Sequence, residues 1–413
     1  MKKNNCLIGQ SGGPTAVINS SYKGIIDMAR DKENIDKIYA MRFGIQGLLK
    51  GEFIDLTNKN KKELNLLSNT PSTIIGTCRY KIEHYDKNEE DYIKFFEMVE
   101  KLNIAYVFYV GGNDSMDTVS KLDSYAREKG IRTRIIGVPK TIDNDMLYTD
   151  HCPGYGSAAK YIATSVMEIA RDSRVYDVKN VHIIETMGRS TGWLAAASIL
   201  ASNDKLVAPD FIYLPESKFS INNFVRDVEN KMKEQKAINV VVSEGLKDKN
   251  GEYITAANST AHDHFKHKRL GGVAETLVPF IRDNLCKRVK SIKFDVMQRA
   301  AAHCASGVDR NEAYLVGVKA VETALAGESG LTIALNRVSN NPYQVEVIKV
   351  SAEKVENKVK LLPEKYINKD QNGVNAEFKN YVLPLIQGQV EIPYRNALPD
   401  FAKLETVDQE YFN

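Results

Sequence analysis

An α/β architecture with mostly parallel sheets is what this 413-residue sequence predicts, and three features predict it. Strand-like and helix-like segments alternate almost to the end, the pattern of strands joined by crossover helices. Residues 104–110 (IAYVFYV) are nearly all apolar and rich in β-branched and aromatic types, as a strand buried on both faces requires. Two strands run into paired glycines and then a helix, at Gly12-Gly13 and Gly111-Gly112.

Residues 6–10 read as the first strand, followed by SGGPT and a helix with Ile18, Tyr22, Ile25 and Ala29 on one stripe. Residues 37–42 form a second short strand. Residues 89–101 predict a helix with Ile93, Phe96 and Val99 facing inward. After 104–110, Ser115 is the expected N-cap of a helix in which Met116, Val119, Leu122 and Tyr125 recur at spacing three and Gly130 ends the run. The strand at 131–138 delivers Lys140, Asp143 and Asp145 onto one loop, and loops after adjacent parallel strands share a crevice where such sheets bind ligands. Beyond CPGYGSAAK lies a helix carrying Ile162, Val166 and Ile169. The strand at 181–186 breaks at Met187-Gly188-Arg189, ahead of a helix around 193–200. Residues 211–214, 239–243, 291–297 and 331–336 complete the strands. The expected division is a first domain of 1–145 with 290–336, a second of 146–289, and a C-terminal extension of 337–413 where the chain turns polar and charge-rich.

Composition removes several classes of function. Hydrophobic residues make up 43% and charged residues 26%, ordinary for a folded protein. A net charge of +3 gives no field to gather nucleic acid or a membrane surface, so neither is an expected partner. Cys6, Cys78, Cys152, Cys286 and Cys304 are odd in number and widely spaced, and read as reduced thiols. MKKNNCLIG leads straight into a strand, leaving no room for a signal peptide, and the longest apolar run, 193–201, falls far short of the ~20 residues that span a bilayer. A cytoplasmic protein is the expectation.

Glycine pairs at a strand–helix turn let backbone N–H groups approach a phosphate, although most such turns only connect. Neither G-x-x-x-x-G-K-[ST] nor G-x-G-x-x-G occurs, which argues against a Walker-type or dinucleotide site. In the loop past Lys140, one carboxylate of Asp143 and Asp145 could take a proton from a hydroxyl and another hold magnesium through water. A plain polar turn has the same composition. Arg189 could grip a phosphate in bidentate fashion, and Glu244, after another strand, could accept sugar hydroxyls. His262, His264 and His267 alternate with polar residues and read as an exposed loop rather than a metal site.

Together these pieces resemble the phosphofructokinase family. The motifs SGGPT, GTCRY, GGNDS, PKTIDND, ETMGR, SEG and MQR follow its order from Gly12 to about Arg310. The resemblance implies two similar Rossmann-like three-layer domains, the first handling the phosphoryl donor and the second the sugar phosphate. It implies transfer of a phosphoryl group to the 1-hydroxyl of fructose 6-phosphate, a step of glycolysis, with Mg2+ as cofactor. Asp143 then stands as the base, with Thr141, Ile142, Met187, Gly188, Arg189, Glu244, Val296 and Arg299 as further sugar-phosphate contacts. Gly12 and Arg79 stand at the donor, Asn113 at the metal, and the assembly is expected to be a homodimer or homotetramer.

Residues 111–114 bear on the donor. ATP-using members of the family typically carry Gly-Gly-Asp-Gly there, whereas this chain has Gly111-Gly112-Asn113-Asp114. Pyrophosphate-using members carry an aspartate at the fourth place and a lysine where Lys140 stands. Two like charges ~4 Å apart at an effective dielectric near 20 repel by about 4 kcal/mol, near a thousandfold in affinity, so Asp114 would oppose the α-phosphate of ATP. Lys140 would neutralise charge on pyrophosphate as its bridging bond breaks. The sequence departs from the family at Asn113, where an aspartate is usual, and at Asn180 and Lys290, where arginines often reach a neighbouring subunit's sugar phosphate. It also departs at Val296, usually His or Tyr, and at Ala300-Ala301, usually a glycine pair. The alternatives are an ATP-dependent member, an acceptor such as sedoheptulose 7-phosphate, and a non-catalytic sugar-phosphate-binding subunit.

Overall fold

The alternation of side chains along the central strand accounts for the layering. In a computed structural model describing residues 4–255 and 271–403, this strand places Phe108 and Val110 in one apolar cluster and Val107 and Tyr109 in another. Helices therefore cover both faces of its sheet. The first sheet contains β1 (Asn4–Gln10), β2 (Ile35–Met41), β3 (Phe53–Asp55), β4 (Ile104–Gly111) and β5 (Arg134–Pro139). The second contains β6 (Asn180–Thr186), β7 (Phe211–Tyr213), β8 (Ala237–Ser243) and β9 (Val289–Lys293). The chain then returns to the first sheet with β10 (Leu331–Asn340) and β11 (Tyr343–Ser351).

The first sheet runs β11-β10-β5-β4-β1-β2-β3 and the second β7-β8-β6-β9. All pairings in the second sheet are parallel; in the first, only the edges β3 and β11 are antiparallel. In β8, Val240 and Val242 face one cluster and Val241 the other, so this sheet too is covered on both sides. No helix among the described residues is long and apolar enough to cross a membrane, and all five cysteines are free.

The structure corrects the expected division at two places. Residues 290–293 do not return to the first sheet, because β9 pairs in parallel with Val181–Glu185 of β6. The return comes later, through the Gly307–Leu325 helix and β10. Residues 337–403 are also no appendage. β11 is an edge of the first sheet, while Leu362, Tyr366, Phe378, Val382 and Leu385 share a core with Tyr155 and Trp193 of the second domain.

Two smaller expectations shift. Ile93 is 45% exposed, and its neighbour Tyr92 takes the buried stripe with Phe95, Phe96 and Val99. Ser115 lies inside the first turn of the Asn113–Glu128 helix, whose N-cap is Gly112 in an extended conformation. Its hydroxyl instead meets that of Ser11 at 2.6 Å, tying the two glycine turns together.

Candidate active site

β1 ends in Gln10 and hands the chain to Ser11-Gly12-Gly13. Gly12 has φ +81°, a conformation that favours a residue without Cβ. Its amide donates to Cys78 O at 3.0 Å, and its carbonyl accepts from Gln10 Nε2 at 2.9 Å and Thr77 Oγ1 at 2.7 Å. These bonds place Arg79 beside the turn. A Cβ on Gly13 would stand 2.7 Å from Arg299 Nη1, so Arg299 packs directly over the turn.

Lys140 reaches the same turn from the end of β5. Its ammonium donates to Ser11 O at 3.1 Å and Gly13 O at 2.6 Å, and the residue is only 3% exposed. Burial, with Arg299 and Arg79 nearby, pulls its pKa down to about 7, although Asp143 and Asp145 oppose the fall. A buried lysine donating into a glycine turn, with Arg299 and Arg79 acting on it, makes a strongly cationic pocket suited to an anion.

Past Lys140 the chain turns sharply. Thr141 Oγ1 accepts from the Asp143 amide at 3.1 Å, and Thr191 Oγ1 donates to Asp143 O at 3.3 Å. Burial raises the Asp143 pKa, opposed by Arg189, Lys140 and Arg299 in that order. Burial, then Asp143, lifts Asp145 to about 7. Glu244 follows β8 and is pushed up to about 7 by burial, Asp143 and Glu185, with Arg189 opposing. Carboxyls and cations from the ends of β5, β6 and β8 therefore interact across one crevice between the sheets.

Asn113 and Asp114 open the helix after β4. The Asn113 amide nitrogen donates to Asp145 Oδ2 at 3.2 Å, while its Oδ1 is buried without a hydrogen-bond partner. Asp114 keeps a third of its side chain exposed, with Lys81 Nζ 3.7 Å from Oδ1. Sequence reasoning passed over Lys81, because a lysine in a loop carries no motif.

Gly188 has φ +118°, and a Cβ there would stand 2.6 Å from Thr191 O, so the turn after β6 requires glycine. The Met187 amide donates to Gln298 Oε1 at 3.2 Å, which fixes that turn against the segment carrying Arg299. Two expected contacts differ in kind. Ile142 is 7% exposed and packed into the core with Tyr155 and Trp193, so its side chain faces away from the crevice. Val296 is 49% exposed, and no polar group of its side chain can hold a ligand. His262, His264 and His267 lie outside the described residues.

The phosphofructokinase family model matches residues 5–324. The pyrophosphate–fructose 6-phosphate 1-phosphotransferase of Methylococcus capsulatus is 38% identical over 407 residues, covering 98% of this chain and 96% of the relative. The enzyme of the same name from Halomonas elongata is 38% identical over 407 residues, covering 98% and 97%. A crystal structure of a pyrophosphate-dependent phosphofructokinase from Nitrosospira multiformis superposes with a TM-score of 0.89 at 36% identity, over 98% of both chains.

Proposed function

This chain belongs to the phosphofructokinase family, and we propose that it transfers a phosphoryl group from pyrophosphate to the 1-hydroxyl of fructose 6-phosphate, reversibly. The observation that carries this reading is Asp143. It is buried and feels Lys140 from the Gly12–Gly13 turn on the donor side and Arg189, Arg299 and Glu244 on the other. A base so placed meets a hydroxyl on one side and an electrophilic phosphorus on the other.

In this reading the Gly12–Gly13 turn, Arg79 and Lys140 bind pyrophosphate, and Arg189, Glu244, Arg299 and the turn at Met187-Gly188 hold the sugar phosphate. Thr141 shapes the loop, and Ile142 contributes through its main chain. Val296 lines the rim. Asp143 takes the 1-hydroxyl proton as that oxygen attacks the near phosphorus, and Lys140 stabilises charge on the departing phosphate. Asp114 and Lys140 together point to pyrophosphate as donor.

A divalent cation, taken here as Mg2+, fits beside Asn113. Its buried, unpartnered Oδ1 is a hard oxygen ligand, and its amide nitrogen is already engaged by Asp145. With a neutral amide oxygen as its protein ligand, the ion arrives largely with the substrate anion. When bound, such an ion supplies charge neutralisation on the donor. The family resemblance also carries a homodimer or homotetramer into this reading.

A coupled assay tests it: the purified chain with fructose 6-phosphate, Mg2+ and pyrophosphate is expected to yield fructose 1,6-bisphosphate, and with inorganic phosphate to run backwards. Absence of both reactions would reject it. A second expectation concerns pH. In the free site Lys140 titrates near 7, and a bound polyanion would raise that value, so binding takes up a proton. Affinity for pyrophosphate is then fullest below pH 7, and the KM is expected to rise above it by up to about tenfold per pH unit. Lys140→Met should remove this component, which separates it from titration of pyrophosphate itself.

A further inference from the structure

Between Asp143 and Asp145 sits Asn144, fully buried at φ +55°, a left-handed conformation that asparagine tolerates better than other residues with a side chain. The surroundings include two residues from far along the chain. Asn144 Nδ2 donates to the Tyr381 hydroxyl at 3.0 Å, and that hydroxyl donates onward to Asp150 O at 2.8 Å. Asn144 Oδ1 accepts from the Cys152 amide at 3.0 Å and faces Lys360 Nζ at 3.4 Å. Each donor meets an acceptor, which fixes the orientation of the amide.

Lys360 completes the enclosure. Its ammonium donates to Thr149 O at 3.1 Å and Asp150 O at 2.9 Å, and its backbone amide donates to Asp145 O at 2.7 Å. Both residues are themselves anchored. Trp193 Nε1 donates to Lys360 O at 2.9 Å, and the Lys360 ammonium lies 5.1 Å from the Trp193 ring centroid. Arg337 donates to Tyr381 O at 2.8 Å, and its guanidinium stands 4.5 Å from the Tyr381 ring centroid.

We propose that Lys360 and Tyr381 are positioning residues for phosphoryl transfer: from the C-terminal segment they hold the inward-turned Asn144, so that Asp143 and Asp145 on either side face the crevice. This rests on the functional reading above, in which Asp143 is the base. It gives the 343–390 segment a role in turnover. In this irregular loop the carbonyls of Asp145, Thr149 and Asp150 accept from these two residues, Asp145 O sharing that role with Asn113 Nδ2 at 3.4 Å. A base displaced by a fraction of an ångström from its hydroxyl still allows substrate to bind but slows the chemistry.

The test compares wild type, Tyr381→Phe and Lys360→Met. Steady-state kinetics is measured with fructose 6-phosphate and magnesium pyrophosphate, folding by thermal denaturation, and hydrogen exchange in peptides covering residues 141–152. Each variant is expected to lose on the order of ten- to a hundredfold in kcat, with both KM values within about threefold of wild type. Exchange should quicken in 141–152 and nowhere else. A residue that served stability alone would lower the melting temperature and leave kcat of the folded protein unchanged. Tyr381→Phe deletes one hydroxyl and keeps the ring packed 5.5 Å from Trp193, so it decides the matter even where Lys360→Met fails to fold. A folded Tyr381→Phe with kcat within about twofold of wild type overturns the proposal. No turnover by wild type would instead reject the functional reading itself.

Discussion

Asp143→Ser is expected to lower kcat by roughly 10²–10⁴-fold, while the dissociation constant for fructose 6-phosphate stays within about threefold. The carboxylate does most of its work as the 1-hydroxyl gives up its proton, so removing it raises the barrier far more than it weakens ground-state binding. Its surroundings set the cost. Burial disfavours the ionised form that a base needs, and Arg189, Lys140 and Arg299 oppose that effect. Serine shortens the side chain and carries no charge, and water admitted to the crevice would be a poor substitute. Isothermal titration with the sugar phosphate and single-turnover kinetics separate the two effects. Turnover near the wild-type rate would remove Asp143 from its role.

Lys140→Met is expected to reduce kcat with pyrophosphate by about 10²–10³-fold. Lys140 has been drawn out of water to sit within reach of the Gly12–Gly13 turn, at the expense of its own protonation. That arrangement is unfavourable in the free protein and becomes favourable once a polyanion fills the cradle. The variant should also shift the acid limb of the kcat profile upward. One of three cations opposing the rise in the Asp143 pKa is gone, so the base protonates at a higher pH and activity is lost sooner on acidification. A pH profile of kcat for the two proteins measures both effects. An unshifted acid limb would mean that Lys140 and Asp143 do not share one electrostatic environment.

The parts of this molecule that were legible in its sequence are those whose physics is local. β4 reads as buried because seven consecutive residues are apolar or aromatic, and the Lys140–Asp145 loop reads as a site because acids and a base follow a strand directly. Sequence pattern puts β9 in the wrong sheet because VKSIK is a half-exposed edge whose partner, Val181–Glu185, is about a hundred residues away. The Gly307–Leu325 helix shows no apolar stripe because its buried face carries Asp309 and Glu312 while Leu315 is exposed; Asp309 caps the Tyr155–Ser173 helix through the Gly154 and Ser157 amides. Ser115 reads as a cap because serine often is one, but Gly112 takes that place. Lys360 and Tyr381 were invisible for another reason: most of their partners are main-chain carbonyls, and a carbonyl leaves no mark on a sequence.

Donor choice remains the point on which the rest turns. Asp114 is one-third exposed and stands 3.7 Å from Lys81, and both facts weaken its repulsion of a nucleotide. A discounted penalty of about 1.4–2.8 kcal/mol, ten- to a hundredfold, is the expectation for the charge alone. The most direct measurement is kcat/KM for pyrophosphate and for ATP, each with magnesium and saturating fructose 6-phosphate, in wild type and in Asp114→Gly. Wild type should favour pyrophosphate by at least about a hundredfold, and Asp114→Gly should narrow that ratio through a gain with ATP and a fall with pyrophosphate. A wild-type protein that uses ATP as well as pyrophosphate, or better, would contradict the assignment.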